Sequence, residues 1–436
     1  MSTAYKEACE QIDALAVFPK KNSLDHTREC LRRLGSPEKA FRCVHVAGTN
    51  GKGSVCAFLT SVFEKAGKRC GLFISPHLVS MTERIQVDGC EISEWVFSQS
   101  FDKVKKMTES LEADGIDTPS YFEFLFLMAM TTFAASGVDI AVLETGLGGR
   151  LDATNSILNP YLSVITNIAL DHTKFLGNTI PEVASEKAGI IKRGIPVVFD
   201  ARNREAEQVI RQKAEEELSV CTGVYEEDFR ILQIDKNGLE LVTRDLGERV
   251  LEIPFPAPYE AVNAAVAVKA FMMLRKTYPA EFEDITDTVI ETGLRKVKWE
   301  GRMEKVAEGI YFDGAHNPDG MKAFLEAASA MEGENPVSIL FGAASDKAYP
   351  EMIRELTSHL NVTRATVTEI ESPRAVKADE LARLFKEAGV PEVEAVSNPA
   401  DAFKEARSKM EETDLFCIGS LYLIGSLKAY LKYRRR

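Results

Sequence analysis

Short apolar runs alternate with longer segments of helical period along most of the chain, and no other feature narrows the fold as much. Strand-like runs are read at residues 42–47, 70–75, 139–145, 161–167 and 196–199, with helical periodicity at 53–66, 94–112, 121–135, 181–192 and 205–218. Strands interleaved with helices predict a parallel sheet covered on both faces. Residues 229–253 interrupt the rhythm: FRILQIDKNGLELVT reads as strand, Asn-Gly turn, strand, which is a hairpin signal. Two helical stretches follow at 259–277 and 281–294, and RKVKWEG at 295–301 reads as a linker. The alternation then restarts, with strands at 309–312, 337–341, 364–369, 393–396 and 415–418. A chain of 436 residues is too long for one ordinary core, so two domains are expected, divided at 1–297 and 298–436.

Charge and cysteine usage exclude several classes of partner. The formal net charge of -13 argues against nucleic acid, whose phosphates such a surface repels. The one basic cluster, residues 432–436, reads as a solvated helix end. Eight cysteines without a C-x-x-C pair or a zinc spacing fit a reducing compartment. MSTAYKEACEQIDAL is polar and amphipathic rather than a secretory leader, and no apolar run approaches the roughly 20 residues that span a bilayer. The expectation is a cytoplasmic protein with no membrane partner, monomeric because no heptad seam is evident.

AGTNGKGSV at 47–55 follows an apolar strand, RCVHVA, and opens a helix. That is the setting of a phosphate loop: glycines let successive N–H groups face phosphate oxygens, and a helix N-terminus adds partial positive charge. Lys52 reaches outer phosphates in such a loop, and Ser54 meets a metal. The spacing departs from the common G-x-x-x-x-G-K-[ST] form, so a glycine turn with an exposed lysine is the bland alternative. In DIAVLETGLGGRLDATN (139–155), Glu144 ends an apolar strand where a metal-holding acid sits in nucleotide sites, and Gly146, Gly148 and Gly149 allow close approach of a ligand. In LFISPHLVSMTERIQVDG (72–89), Ser75 and Pro76 end a strand at the edge where open α/β sheets bind ligands. Asp171 and His172 follow another strand end. In IPEVASEKAGIIKRG (180–194), Val183, Lys187, Ile190 and Ile191 share one helical face, which puts a lysine on an apolar stripe. Such a lysine is costly unless paired or modified, though snorkelling is the commoner outcome. Ser120 and Glu123 in SYFEF fit a helix capping box.

Taken together, GTNGKGS, SPHLVSMTERI, LETGLGGRLDATN, ALDH, SEKAG, YEAVNAA, WEGR, FDGAHNPDG, FGAASDK and FCIGSLYLIGS resemble the folylpolyglutamate synthase/dihydrofolate synthase family of Mur ligases, over residues 40–431. The resemblance implies an N-terminal P-loop NTPase-like, doubly wound, mostly parallel sheet with a small β-rich part, plus a smaller C-terminal Rossmann-like α/β domain that takes glutamate. It implies ATP binding by Gly48, Thr49, Asn50, Gly51, Lys52, Gly53 and Ser54, with Asn263 on the adenine side, Asp313 on the ribose, and Arg302 and His316 completing the site. It implies two Mg²⁺ sites built from Ser54, Ser75, Glu144, His172 and Lys187, the last N-carboxylated, so that Lys52, Glu144, His172 and Lys187 carry the catalysis. Phe122, Glu123, Leu151, Asp152 and Ala153 are implied in the pteroate pocket.

The expected reaction is ATP-dependent amide ligation through an acyl phosphate, joining L-glutamate to dihydropteroate or a reduced folate, with both activities in one enzyme. A polyglutamylating enzyme alone, or a ligase of peptidoglycan precursors, are the nearer alternatives. A P-loop kinase or GTPase is the more distant one: TNIALD lacks the N-K-x-D of a guanine site.

Overall fold

The computed structural model describes residues 2–15, 22–410 and 413–434. The last two residues of the basic C-terminal cluster and the first residue of the N-terminal segment therefore lie outside the described residues. The chain forms two compact units. The first comprises residues 1–229, 243–249 and 262–297, and the second 230–242, 250–261 and 298–436.

The first unit is built on an eight-stranded sheet of β1 (Arg42–Ala47), β2 (Cys70–Phe73), β3 (Ile85–Val87), β4 (Cys90–Glu91), β5 (Ile140–Glu144), β6 (Leu162–Ile165), β7 (Val197–Asp200) and β8 (Cys221–Val224). Their order is β4-β3-β2-β5-β1-β6-β7-β8. β1 pairs in parallel with β5 on one side and β6 on the other, and the pairs β2–β5, β6–β7 and β7–β8 are also parallel. Only β3 and β4 are antiparallel, at one edge. β5 is buried throughout and β1 nearly so, as expected for central parallel strands sealed on both faces.

One face packs against α1 (Thr3–Asp13), α2 (Leu24–Arg33), α4 (Glu94–Ala113) and α5 (Tyr121–Ala135), burying Phe73, Phe97, Phe126 and Leu143 in one cluster. A second cluster joins Ile165, Val197 and Phe199 to Val183 and Ile210, from α7 (Ile180–Ala188) and α8 (Arg204–Glu216). α3 (Lys52–Lys65) leaves β1 directly, and α6 (Thr173–Leu176) is a single turn. Chain direction across the sheet reverses at β1. That switch point sets the C-terminal ends of β1, β5 and β6 side by side, where open α/β sheets bind ligands.

The second unit carries a six-stranded sheet in the order β12-β13-β17-β14-β15-β16, formed by Glu304–Ala307, Ile310–Phe312, Asp414–Ile418, Pro336–Phe341, Asn361–Val367 and Glu392–Ala395. Four strands run parallel beside β13, and β12 is antiparallel. The expected hairpin forms as β9 (Phe229–Asp235) and β10 (Gly238–Thr243), with β11 (Leu251–Ile253) paired to β10. Residues 230–242 cluster with the second unit, and the ion pairs of Lys236 at the hairpin turn with Glu332 (3.0 Å) and Asp414 (2.7 Å) give one reason. Among the described residues no helix is long and apolar enough to cross a membrane.

Two helices differ from expectation. The stretch 281–294 is broken into Pro279–Phe282 and Asp287–Lys296, because Thr286 takes the cap position and accepts from the Val289 amide. α7 ends at Ala188 rather than continuing to 192.

Candidate functional site

The glycine loop between β1 and α3 has a steric reason for each of its outer glycines. Gly48 has φ 155°, and a Cβ there would stand 1.8 Å from the Thr166 hydroxyl oxygen. Gly51 has φ 83°, and a Cβ would meet the Asn263 amide oxygen at 2.4 Å. The loop is tied to the strand end beside it: the Thr49 amide donates to Asn167 O (2.7 Å) and the Thr166 hydroxyl to Asn50 O (2.7 Å). α3 begins at Lys52, so Gly53 and Ser54 lie in its first turn, where backbone N–H groups lack intrahelical partners. Lys52 folds back over its own loop, donating to Gly48 O (3.1 Å) and Thr49 O (2.9 Å).

Glu144 is 4% exposed at the C-terminal end of β5, in register with Val46 of β1. Its Oε2 accepts from the Ser75 amide at 2.9 Å, which brings the two strand ends together. The next loop is crowded from two sides. A Cβ on Gly146 would strike the Phe122 ring at 2.7 Å, and one on Gly149 would reach the carbonyl oxygens of Glu186 and Lys187 at 2.9 Å. Asp152 holds the loop from within, accepting from the amides of Gly146 (3.0 Å), Leu147 (3.0 Å) and Thr154 (3.1 Å) and from the Thr154 hydroxyl (2.6 Å). Leu151 is exposed and Ala153 buried.

Lys187, 3% exposed in the last turn of α7, donates to Gly48 O at 2.6 Å, so Lys52 and Lys187 converge on one carbonyl. Burial and then the Lys52 charge lower its pKa from 10.5 to about 7, while Asp171 and Asp152 act in the opposite direction. The expected stripe is corrected in detail. Ile190 and Ile191 are buried, but by the turn after Ala188 rather than by helical spacing. His172 adopts φ 48°, unusual for a non-glycine residue, and its Nε2 lies 3.8 Å from Asp171 Oδ2. Lys52, Lys187, Asp171, His172 and the Gly146–Gly148 segment line a small cleft.

Phe122 stacks obliquely on Phe73, with ring centroids 5.5 Å apart, and Glu123 is committed to local structure. Its Oε2 accepts from the Ser120 amide (2.7 Å) and from Asn22 Nδ2 (2.8 Å), so the capping role is filled. In the second unit, Asp313 is buried and accepts from the amides of Met303 (2.8 Å) and Ala315 (2.8 Å) and from the Tyr259 hydroxyl (3.0 Å). Burial raises its pKa, opposed by the nearby Arg302 charge and those hydrogen bonds. Arg302 donates to Gly301 O at 2.9 Å, and His316 Nδ1 lies 2.7 Å from Gly314 O.

Residues 46–271 match the Mur ligase middle domain, and residues 301–420 the Mur ligase glutamate ligase domain. The dihydrofolate synthase/folylpolyglutamate synthase of Bacillus subtilis is 34% identical, over 99% of this chain and 100% of its own length. Folylpolyglutamate synthase from Thermotoga maritima superposes with a TM-score of 0.84 at 30% identity, covering 98% of this chain and 97% of its own. FolC of E. coli, solved in complex with DHPP and ADP, superposes at 0.83 with 26% identity, each chain covered in full at 100%. The chain belongs to the folylpolyglutamate synthase/dihydrofolate synthase family of Mur ligases. It is an ATP-dependent ligase.

The family implies a divalent metal. Among the described residues no three His, Cys, Asp or Glu side chains gather as a ready metal cage. Mg²⁺ is held through one or two carboxylates together with substrate phosphates rather than by an all-protein shell. Glu144, Ser54 and Ser75 offer hard oxygen donors of the right type at adjoining ends of β5, α3 and β2. As an ammonium Lys187 is no ligand; it fits a metal only after carboxylation.

The sequence reading missed the residues that hold the family's loops. Thr166 and Asn167 clamp the phosphate loop, Tyr259 reaches Asp313, and His45 contacts Thr154 at 2.8 Å. A threonine at the end of a third parallel strand was the available signal for the first of these.

Proposed function

We propose that this ligase joins L-glutamate to the carboxylate of dihydropteroate and of reduced folates, with both activities in one enzyme. The observation that carries the proposal is the convergence of Lys52 and Lys187 on the Gly48 carbonyl, in a cleft that also holds His172 and the Gly146–Gly148 wall. A small cleft lined by two lysines suits the meeting of two anions, a terminal phosphoryl group and a carboxylate.

The chain's own residues are assigned as follows. The α3 amides from Lys52 to Ser54 cradle the phosphates, and Lys52 leaves the Gly48 and Thr49 carbonyls to follow the terminal phosphoryl oxygens. Asn263 faces the adenine side, Asp313 the ribose, and Arg302 and His316 the phosphates. Glu144, Ser54 and Ser75 would hold one Mg²⁺, and Glu144, His172 and N-carboxylated Lys187 a second. Bound there, Mg²⁺ would supply positive charge to the phosphoryl and carboxylate oxygens. Phe122, Leu151 and Ala153 are assigned to the flat ring, with Glu123 and Asp152 shaping that wall through the backbone amides they hold.

The reaction follows from these positions. The acceptor carboxylate oxygen attacks the γ-phosphorus, the bond to the bridging oxygen breaks, and ADP leaves. The glutamate amino nitrogen then attacks the acyl phosphate carbonyl, loses a proton, and the tetrahedral adduct expels phosphate. The working division is residues 1–297 for nucleotide and acceptor and 298–436 for glutamate. The working form is a cytoplasmic monomer, and light scattering at the monomer mass of 48.2 kDa checks its oligomeric state.

The test supplies Mg-ATP and L-glutamate with dihydropteroate in one tube and tetrahydrofolate in another, and follows ADP release and product mass. One added glutamyl unit in both tubes is the expected result. A gain in one tube only would reduce the enzyme to a single activity. ADP release without mass gain in either would assign the activated carboxylate to another substrate, with a peptidoglycan precursor the next to try.

A further inference from the structure

His45 has no part in the chemistry above, yet it occupies the middle of the central strand with no exposed surface. Its register neighbours are Leu143 on β5 and Ser163 on β6. An imidazole in a dry core needs partners, and an apolar side chain would avoid that need. His45 has one partner: Nε2 lies 2.8 Å from the Thr154 hydroxyl oxygen, while Nδ1 is buried with none.

The direction of that bond follows from the next one. Asp152 accepts from three backbone amides, so its carboxylate acts as an acceptor, and the Thr154 hydroxyl donates its single proton to Asp152 Oδ1 at 2.6 Å. The Thr154 oxygen must then accept, and His45 must donate from Nε2. That tautomer leaves Nδ1 as a bare lone pair, in agreement with its lack of a partner. Burial also holds the ring neutral, lowering its pKa to about 3. A directed chain therefore runs from His45 to Thr154 to Asp152, and Asp152 Oδ2 receives the amides of Gly146 and Leu147, which line the cleft.

We propose that His45 is a positioning residue for ligation: it orients the Thr154 hydroxyl, and through it the Asp152 carboxylate that sets the Gly146–Leu147 wall opposite the two lysines. The phosphate loop is held separately by Thr166 and Asn167, so the chain from His45 governs the acceptor side of the cleft and not the nucleotide side.

The test combines three variants with two readouts. His45→Leu removes the donor, His45→Gln returns an N–H near the Nε2 position, and His45→Leu/Thr154→Val removes both polar partners. Expected for His45→Leu is a fall in kcat of ~10–100-fold, the scale of a misplaced site wall, with KM for ATP changed less than ~2-fold. Amide hydrogen exchange at Gly146 and Leu147 speeds up in the same variant, and His45→Gln recovers both properties. The double variant regains thermal stability, because no buried polar group is left alone, but does not regain kcat. Recovery of kcat along with stability in the double variant would reduce His45 to a core residue and overturn the proposal, as would unchanged exchange at Gly146 and Leu147 in His45→Leu. Should His45→Leu not fold, Thr154→Val alone breaks the chain one step nearer Asp152 and is held to the same outcomes. The proposal rests on the ligase reading for its kinetic arm only. The exchange arm needs no acceptor, so a wrong acceptor assignment and a wrong role for His45 fail separately.

Discussion

Lys187 lies in the last turn of α7 and Lys192 four residues past its end, and the fold treats the two in opposite ways. Burial lowers both, Lys187 to about 7 and Lys192 to about 8. Lys192 is knitted into structure: it donates to Asn155 O (3.2 Å) and Asn155 Oδ1 (2.6 Å), while Asn155 Nδ2 donates to Arg150 O (3.0 Å) and Gly189 O (3.0 Å). That cluster straps the loop after β5 to the turn after α7. Lys187 donates to a carbonyl that Lys52 already serves, and its remaining face lies in the cleft. A buried lysine costs stability unless its partners compensate. Lys192 has two acceptors on Asn155, whereas Lys187 shares one carbonyl and Asp171 and Asp152 offset its burial only in part, and an incompletely compensated buried charge is common at functional sites.

The contrast is broken most directly at Lys187. Lys187→Ala is expected to lower the ligation rate by ~10²–10³-fold or more, the scale of losing one preorganised group at a charged transition state. Thermal stability should hold or rise, because Gly48 O keeps Lys52 and a desolvated charge is removed. Bicarbonate or a short carboxylic acid should partly restore turnover. Full activity in Lys187→Ala would remove both the carboxylated lysine and the contrast.

Gly149→Ala sharpens the comparison from the loop side. Its Cβ would press on the carbonyls of Glu186 and Lys187, both 2.9 Å away, and push the last turn of α7 from the cleft. Turnover should fall by ~10–100-fold with a stability loss of ~1–3 kcal/mol from overpacking, read by steady-state ADP release and thermal melting. Turnover equal to the parent enzyme would mean that the loop does not set the position of Lys187.

Lys192→Met should reverse the pattern of Lys187. It leaves Asn155 O and Oδ1 without their ammonium partner, a loss of ~1–2 kcal/mol on the scale of buried unsatisfied acceptors. Its kcat should stay within about 2-fold. A large loss of kcat at unchanged stability would place Lys192 in the chemistry instead.

The legibility of these features in sequence depended on how local their causes are. β1 and β5 were readable because central parallel strands are apolar on both faces, and α5 because its apolar run starts at a capping serine. β3 and β4 were missed because strands of 3 and 2 residues carry too little pattern. α7 was extended too far because Ile190 and Ile191 kept the helical spacing after Gly189 had turned the chain. Lys187 was nonetheless read as lying on an apolar stripe, and it is buried rather than snorkelling. Asp152 shows the limit most clearly. The resemblance implied it in the pteroate pocket; its oxygens hold Gly146, Leu147 and Thr154, a fact fixed by loop geometry that residue order does not express. His45 gave no sequence signal at all, since a histidine in an apolar strand reads as an ordinary core position.

The smallest effect expected concerns pH, and it isolates Lys192. Its folded pKa, about 8, lies below the ordinary lysine value of 10.5. Between those values the unfolded chain binds more protons than the folded one, so this lysine's contribution to stability rises with pH through that window. Below about 8 the full cost of the buried charge is present; above 10.5 it is gone. Burial is the leading cause, Arg28 and Lys213 push the same way, and Glu217 and Cys43 oppose them. Cys43 is itself raised by burial to about 12, so it stays protonated across the window. The neutral amine still donates to Asn155, so the parent protein keeps its strap while shedding the charge. Denaturation of parent and Lys192→Met at pH 7, 8, 9 and 10 should therefore show a stability gap that widens as pH rises. Lys187, lowered in the same direction, is present in both proteins and cancels in that difference. A gap that stayed constant or narrowed would mean that Lys192 is not desolvated, and that the two lysines differ in partners but not in burial cost.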